Sequence, residues 1–129
     1  MTKAVHQEIQ FDAAPRELYQ ALIDSTRHAA FTGGPAEISG DEGGAFSCHG
    51  GAIVGRNIEL VENERIVQAW RVADWEPGIF SVVRITLSAE QGGSKLTLDH
   101  VGFPDGAGEH LAGGWHTRYW EPMREYLAS

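Results

Sequence analysis

Few residues in this chain could carry covalent or acid–base chemistry, and their spacing restricts what they can do. One thiol, Cys48, stands next to an imidazole, His49. A thiolate–imidazole pair would make a nucleophile, but the two lie in a segment with strand texture. There, successive side chains point to opposite faces, so the expected arrangement is a buried thiol and an outward histidine. Asp99-His100 fails as a dyad for the same reason. No Gly-x-Ser-x-Gly elbow accompanies the serines, and no Gly-x-Gly-x-x-Gly or Walker run marks a phosphate cradle. His100, His110 and His116 fall within seventeen positions. On a helix, however, His110 and His116 sit about 120° apart, whereas a helical metal pair needs a spacing of three or four. No catalytic residue, metal or cofactor is therefore expected.

Aromatic rings are the stronger signal. Trp70, Trp75, Phe80, Phe103, Trp115, Tyr119 and Trp120 crowd into the second half of the chain. Large rings can fill a core or line a pocket, and a pocket with a few indole, phenol and imidazole groups has the usual make-up of a small-molecule site.

The elements that must position these rings follow from periodicity. Val5, Ile9 and Phe11 share one face at period two, which predicts a half-buried strand. Pro15 is suited to a first helical turn, and Leu18/Leu22 with Tyr19/Ile23 form i,i+4 pairs over 16–23. A second short helix is expected over 26–31, before Gly33-Gly34-Pro35 stops it. From Ala36 to Val101, segments at 36–39, 45–49, 53–61, 65–72, 80–87 and 95–101 alternate with glycine-rich or acidic breaks of two to five residues, at 40–44, 50–51, 62–64, 75–78 and 90–94. Short breaks permit hairpins but not parallel crossovers, so an antiparallel meander is predicted, with Gly55 as a bulge. Leu111, Trp115, Tyr119, Met123 and Tyr126 then step by four, four, four and three, predicting a C-terminal helix over 108–127. Pro122 should disturb it near Arg118. The expected class is α+β: a curved antiparallel sheet of about six or seven strands, two short helices after the first strand, and one long terminal helix. A helix laid on a curled sheet can leave a hollow at its ends.

Composition sets the outer limits. With 129 residues and 14.1 kDa, one domain over 1–129 with one core is expected. The charge of −8 makes nucleic acid an unlikely partner on electrostatic grounds. No apolar run exceeds three residues, so neither a membrane span nor a signal peptide is expected. A single cysteine suits a reducing, cytoplasmic setting.

Five stretches carry a family resemblance: Phe31-Thr32-Gly33-Gly34-Pro35-Ala36, Gly43-Gly44-Ala45-Phe46, Ile66-Val67-Gln68-Ala69-Trp70-Arg71, Trp75-Glu76-Pro77-Gly78-Ile79-Phe80-Ser81, and Gly114-Trp115-His116-Thr117-Arg118-Tyr119-Trp120. Together they resemble the activators of heat-shock protein ATPase (AHSA type) within the START-like, SRPBCC or Bet v 1-like superfamily. The likeness is greatest to the C-terminal domain of the eukaryotic co-chaperone. That resemblance implies a helix-grip fold, a cavity beneath the C-terminal helix and no fixed catalytic residues. The co-chaperone's separate N-terminal domain is expected to be absent, since the first strand begins within the first handful of residues.

The expected function is non-enzymatic: a helix-grip protein holding a small hydrophobic or aromatic molecule between sheet and terminal helix. Trp70, Phe80, His100, Trp115 and Tyr119 are expected as its walls and Phe31 near the entrance. His100 would be a pH-sensitive polar contact there. The alternative is a co-chaperone-like or stress-response interaction domain, with Trp75 anchoring a chaperone of the 90-kDa heat-shock class. An enzyme using the cavity is a third reading, resting on fold likeness alone. A monomer and a homodimer paired through a sheet edge are both compatible with the pattern.

Overall fold

The computed structural model describes residues 4–128. Strand β1 (Ala4–Phe11) is followed by helices α1 (Pro15–Ile23) and α2 (Ser25–Thr32) and by strands β2 (Ala36–Ile38) and β3 (Ala45–Cys48). A 3-10 turn (His49–Gly51) leads into β4 (Ile53–Val61), β5 (Arg65–Val72), β6 (Ser81–Glu90) and β7 (Gly93–Val101). The chain ends in α3 (Gly108–Trp115), a π-helical turn (His116–Trp120) and α4 (Glu121–Ala128). The seven strands form one antiparallel sheet in the order β1-β7-β6-β5-β4-β3-β2, the expected meander with the first strand closing onto the last.

Two helices follow β1 because Asp24 divides them. Its backbone is extended, which ends α1, while its carboxylate accepts the Arg27 N–H at 3.0 Å and caps α2. Gly33, at φ 77°, closes α2 in the left-handed conformation that a side chain disfavours.

Alternation decides which strand residues meet the helices. Val5, Ile9 and Phe11 of β1 face inward with Leu96 and Leu98 of β7, Val83, Ile85 and Leu87 of β6, and Ile66 and Trp70 of β5. Leu18 and Leu22 of α1 and Leu111, Trp115, Trp120 and Met123 of the terminal helices cover them. A polar tie joins the two layers. Gln7, inward on β1, donates to the Ala112 carbonyl at 3.0 Å and accepts the Trp120 indole N–H at 2.7 Å.

Gly55 is not a bulge. The register shift in β4 falls between Asn57 and Glu59, which leaves Ile58 as the extra residue, 52% exposed. Gly55 lies between Phe46 and Trp70 in one cross-strand row, and a Cβ there would stand 1.9 Å from the Ala69 carbonyl oxygen and 2.7 Å from the Phe46 ring. Its role is close approach.

The disturbance anticipated near Arg118 takes the form of the π turn, in which the Glu121 N–H donates to the His116 carbonyl. Pro122 has no N–H to donate and its ring collides with the carbonyl four residues earlier in a regular helix; a wider turn relieves both conditions. It also brings Tyr119 and Trp120, adjacent in sequence, to the buried side together. No helix among the described residues is long and apolar enough to cross a membrane.

Candidate functional site

The aromatic rings largely interlock. Trp115 stacks on Trp120 at 5.3 Å between centroids and lies 4.8 Å from Tyr119 and 5.8 Å from Trp70. Interior space beneath the helix is reduced to about 20 Å³ beside Cys48, Gln68 and Trp70, room for one water. A larger hollow of about 200 Å³ opens at the N-terminal end of the terminal helical stretch. There α3 and the π turn arch over the 3-10 turn and the adjoining ends of β4 and β5. Ile53, Trp70, Val72, Leu111 and Trp115 supply its apolar wall, and His49, His110, Arg118 and Tyr119 its polar groups.

The hollow is roomy at this end because α3 presents Gly114 to it. A Cβ built on Gly114 meets nothing within 4 Å.

Of the expected wall residues, Trp70, Trp115 and Tyr119 line the hollow, and Phe31, Phe80 and His100 do not. Phe31 is buried on the far side of Tyr119, against His28 and Tyr126. Phe80 is 49% exposed: Ser81 points inward, so its neighbour must point out, and the Arg71 guanidinium lies over its ring.

His100 is fully buried behind Trp70 and Trp115, with both nitrogens engaged. The Trp115 indole N–H, a donor only, points at Nδ1 at 3.1 Å, so the ring proton belongs on Nε2. That proton is donated to Ser81 Oγ at 2.8 Å, and the Ser81 hydroxyl donates onward to the Trp70 carbonyl. Burial pushes the imidazole down to about 4. His100 thus holds the two hollow-lining indoles in place instead of meeting a ligand.

Trp75, expected as an exposed anchor, is half-buried, packed on Trp70 at 5.9 Å. The exposed apolar side chains nearby are Ile79, Phe80, Val82 and Val101.

His49 departs from the outward placement expected of it. The strand ends at Cys48, and His49, at φ 56°, opens the 3-10 turn, so strand alternation no longer applies. Its Nε2 comes 3.3 Å from the Tyr119 hydroxyl, which also lies 3.1 Å from Nε2 of His28. Cys48 Sγ stands 3.8 Å from the same His28 nitrogen. The sequence does not announce this cluster of two imidazoles, a phenol and a thiol, because its members come from α2, the end of β3, the 3-10 turn and the π turn. Burial pushes His28 down to about 4, Cys48 up to about 12, and Tyr119 well above the usual phenol range. His49 is lowered by burial and by the nearby Arg118 charge. All four are held neutral, a packing cluster and not an activated nucleophile. Cys48 should accordingly resist alkylation by iodoacetamide at pH 8 in the native protein and react promptly in denaturant. Equal rates in both conditions would show that the thiol is not sequestered. Among the described residues no group of three or more His, Cys, Asp or Glu is arranged to hold a metal ion.

Comparison with known proteins adds the family context. The family model described as Activator of Hsp90 ATPase homolog 1-like protein matches residues 12–128. The chain is 30% identical over 115 residues to the human activator of 90 kDa heat shock protein ATPase homolog 1, covering 89% of this chain and 34% of that protein. It is 33% identical over 117 residues to the corresponding activator homolog of Dictyostelium discoideum, covering 88% and 30%. The chain thus spans about a third of the length of the curated relatives it matches. Among solved structures, an HSP90 activator from Plasmodium falciparum superposes with a TM-score of 0.92 at 24% identity, covering 98% of this chain and 97% of that one. The Aha1 dimer from Colwellia psychrerythraea gives 0.82 at 15% identity, covering 98% and 96%. At these identities the structural likeness concerns the fold.

Proposed function

Because the chain belongs to the family of Activator of Hsp90 ATPase homolog 1-like proteins, we propose that it serves as a chaperone-interaction domain, docking on a chaperone of the 90-kDa heat-shock class and modulating its ATPase. The observation that carries this reading is the family match, which runs over nearly the whole chain and includes relatives named for that activation. The outer surface offers a docking face. Val82 and Val101 are direct cross-strand partners, 41% and 44% exposed, and Phe80 stands beside them with Arg71 over its ring. Exposed aromatic and arginine side chains of this kind are the usual anchors of protein interfaces.

The test uses the purified chaperone from the same host, with binding followed by calorimetry and ATP hydrolysis by phosphate release. Phe80→Ser is expected to weaken docking at least about tenfold while leaving the melting temperature unchanged, since the ring is already half in water. Trp75→Ala should weaken docking and also lower stability, because that indole is packed on Trp70. Absence of binding and of any ATPase change with the unmodified chain would end this reading.

A second reading is favoured by the hollow itself: it receives a small hydrophobic or aromatic molecule against Trp70, Leu111 and Trp115. Saturable quenching of tryptophan fluorescence by such molecules is its test, and its absence counts against it.

A further inference from the structure

One charged group at the hollow stands apart from its kind. The chain has eight arginines. Seven have a partner: Arg16, Arg27, Arg65 and Arg84 pair with carboxylates, and Arg56, Arg71 and Arg124 donate to backbone carbonyls. Arg118 alone among the described residues has neither. Yet the chain carries 18 acidic residues against 10 basic ones, so a guanidinium with neither a carboxylate nor a carbonyl is the exception among its arginines. Its position in the π turn places it on the rim of the hollow.

The rest of the lining agrees. None of the eleven residues around the hollow is acidic, while Arg118, His49 and His110 all belong to it. The Arg118 charge therefore gives this lining a sign opposite to that of the molecule as a whole. Arg118 lies close enough to His49 that its charge, after burial, helps to keep that imidazole neutral. A bound anion would offset the Arg118 charge, favour a proton on His49 and offer both groups a hydrogen-bond acceptor. Across the hollow, Trp70, Leu111 and Trp115 present an apolar wall that has no use for charge. The lining is amphipathic, with its polar edge cationic.

We propose that the hollow selects a small organic anion: an aromatic or aliphatic body lying on Trp70, Leu111 and Trp115, with a carboxylate held by Arg118 and His49. This rests on the second reading above, that the hollow receives a small molecule, and adds its chemical class. Arginine suits the task because its planar donors match a carboxylate in pairs, and such charge-assisted contacts are about twice as strong as neutral ones.

Three probes of one shape separate the possibilities: 3-phenylpropanoate, its neutral amide, and 3-phenylpropylamine, titrated against tryptophan fluorescence at low salt. The acid is expected to bind about tenfold more tightly than the amide, and the amine least well. Arg118→Gln should bring the acid down to the level of the amide while leaving the amide unchanged, and Arg118→Lys should restore part of the preference. Gly114→Leu, which places a side chain in open space within the hollow, should abolish binding of both without unfolding the helix. Equal binding of acid and amide, an acid preference that survives Arg118→Gln, or binding that survives Gly114→Leu overturns the anion proposal; in the first of these cases the hollow still serves as a receptor. No binding of any of the three overturns both.

Discussion

Alanine at position 55 should cost the protein about 3 kcal/mol, a large share of the roughly 5–15 kcal/mol that holds a domain of this size together. The added methyl would sit 1.9 Å from the Ala69 carbonyl oxygen and 2.7 and 2.8 Å from two Phe46 ring carbons. The ring could swing aside, but the carbonyl belongs to β5 and is fixed by pairing with β4. Relief therefore requires the two central strands to part. Such a shift would carry Trp70, which pairs with Gly55, out of the wall of the hollow. The contrast is Gly113→Ala. There a Cβ meets nothing within 4 Å, and α3 should gain about 1 kcal/mol from better helix propensity. Urea denaturation of the two variants should give effects of opposite sign. A Gly55→Ala protein within 1 kcal/mol of the parent would mean that Phe46, Gly55 and Trp70 do not share a row.

Gly55 also illustrates which parts of the structure were legible in the linear chain. Alternation in 5–11 predicted the first strand, and glycine-rich or acidic breaks between short apolar segments predicted the meander. The four-four-four-three spacing from Leu111 to Tyr126 predicted the terminal helix, and Pro122 predicted a disturbance in it. These signals are local, because a strand or helix must repeat its inward positions at a fixed period. What escaped was set by tertiary neighbours or by single-residue slips in phase. A glycine within a strand is equally consistent with a bulge and with a close approach, and only the neighbouring strands, through the Ala69 carbonyl and the Phe46 ring, decide between them. His49 was assigned outward by a rule that ends one residue earlier, where φ becomes positive. Phe80 was placed on the wall although its neighbour Ser81 occupies the inward phase. Nothing in the sequence singles out His28, because its partner Tyr119 lies 91 positions away. In the sequence Arg118 is marked only by the helix irregularity around it, since being unpaired is a property of the folded surface.

Acid should undermine the fold through His28 and His100 as pH falls below 6.5. Both imidazoles are buried and lowered to about 4, whereas in the unfolded chain they return to about 6.5. Above pH 6.5 they are neutral in both states and cost nothing. As pH falls below 6.5, the unfolded chain takes up protons that the native protein refuses, and stability declines until the native rings protonate near pH 4. With this pair of shifts, the loss between pH 7.5 and 4.5 is about 5 kcal/mol.

The surroundings offer no rescue. His100 faces Ser81, Trp70, Phe103 and Trp115, and His28 faces Tyr119, Cys48, Phe31 and His49, with no carboxylate in either set. His49, itself lowered and close to Arg118, acts in the same direction. His6 acts in the opposite one, because its bond to Asp99 raises it, so its contribution grows as pH falls through that raised value. That pair is exposed, and its effect is small beside two buried rings.

Urea unfolding at pH 7.5 and 4.5 measures the total, and His28→Asn and His100→Asn apportion it. Each variant is expected to be less stable than the parent at pH 7.5, since each breaks a buried contact, yet to lose only about half as much on acidification. The slope is the discriminating quantity, because a purely structural defect lowers both curves equally. A parent protein whose stability is unchanged between these pH values would show that the two imidazoles protonate within the fold, and that Trp115 is not held by a neutral His100.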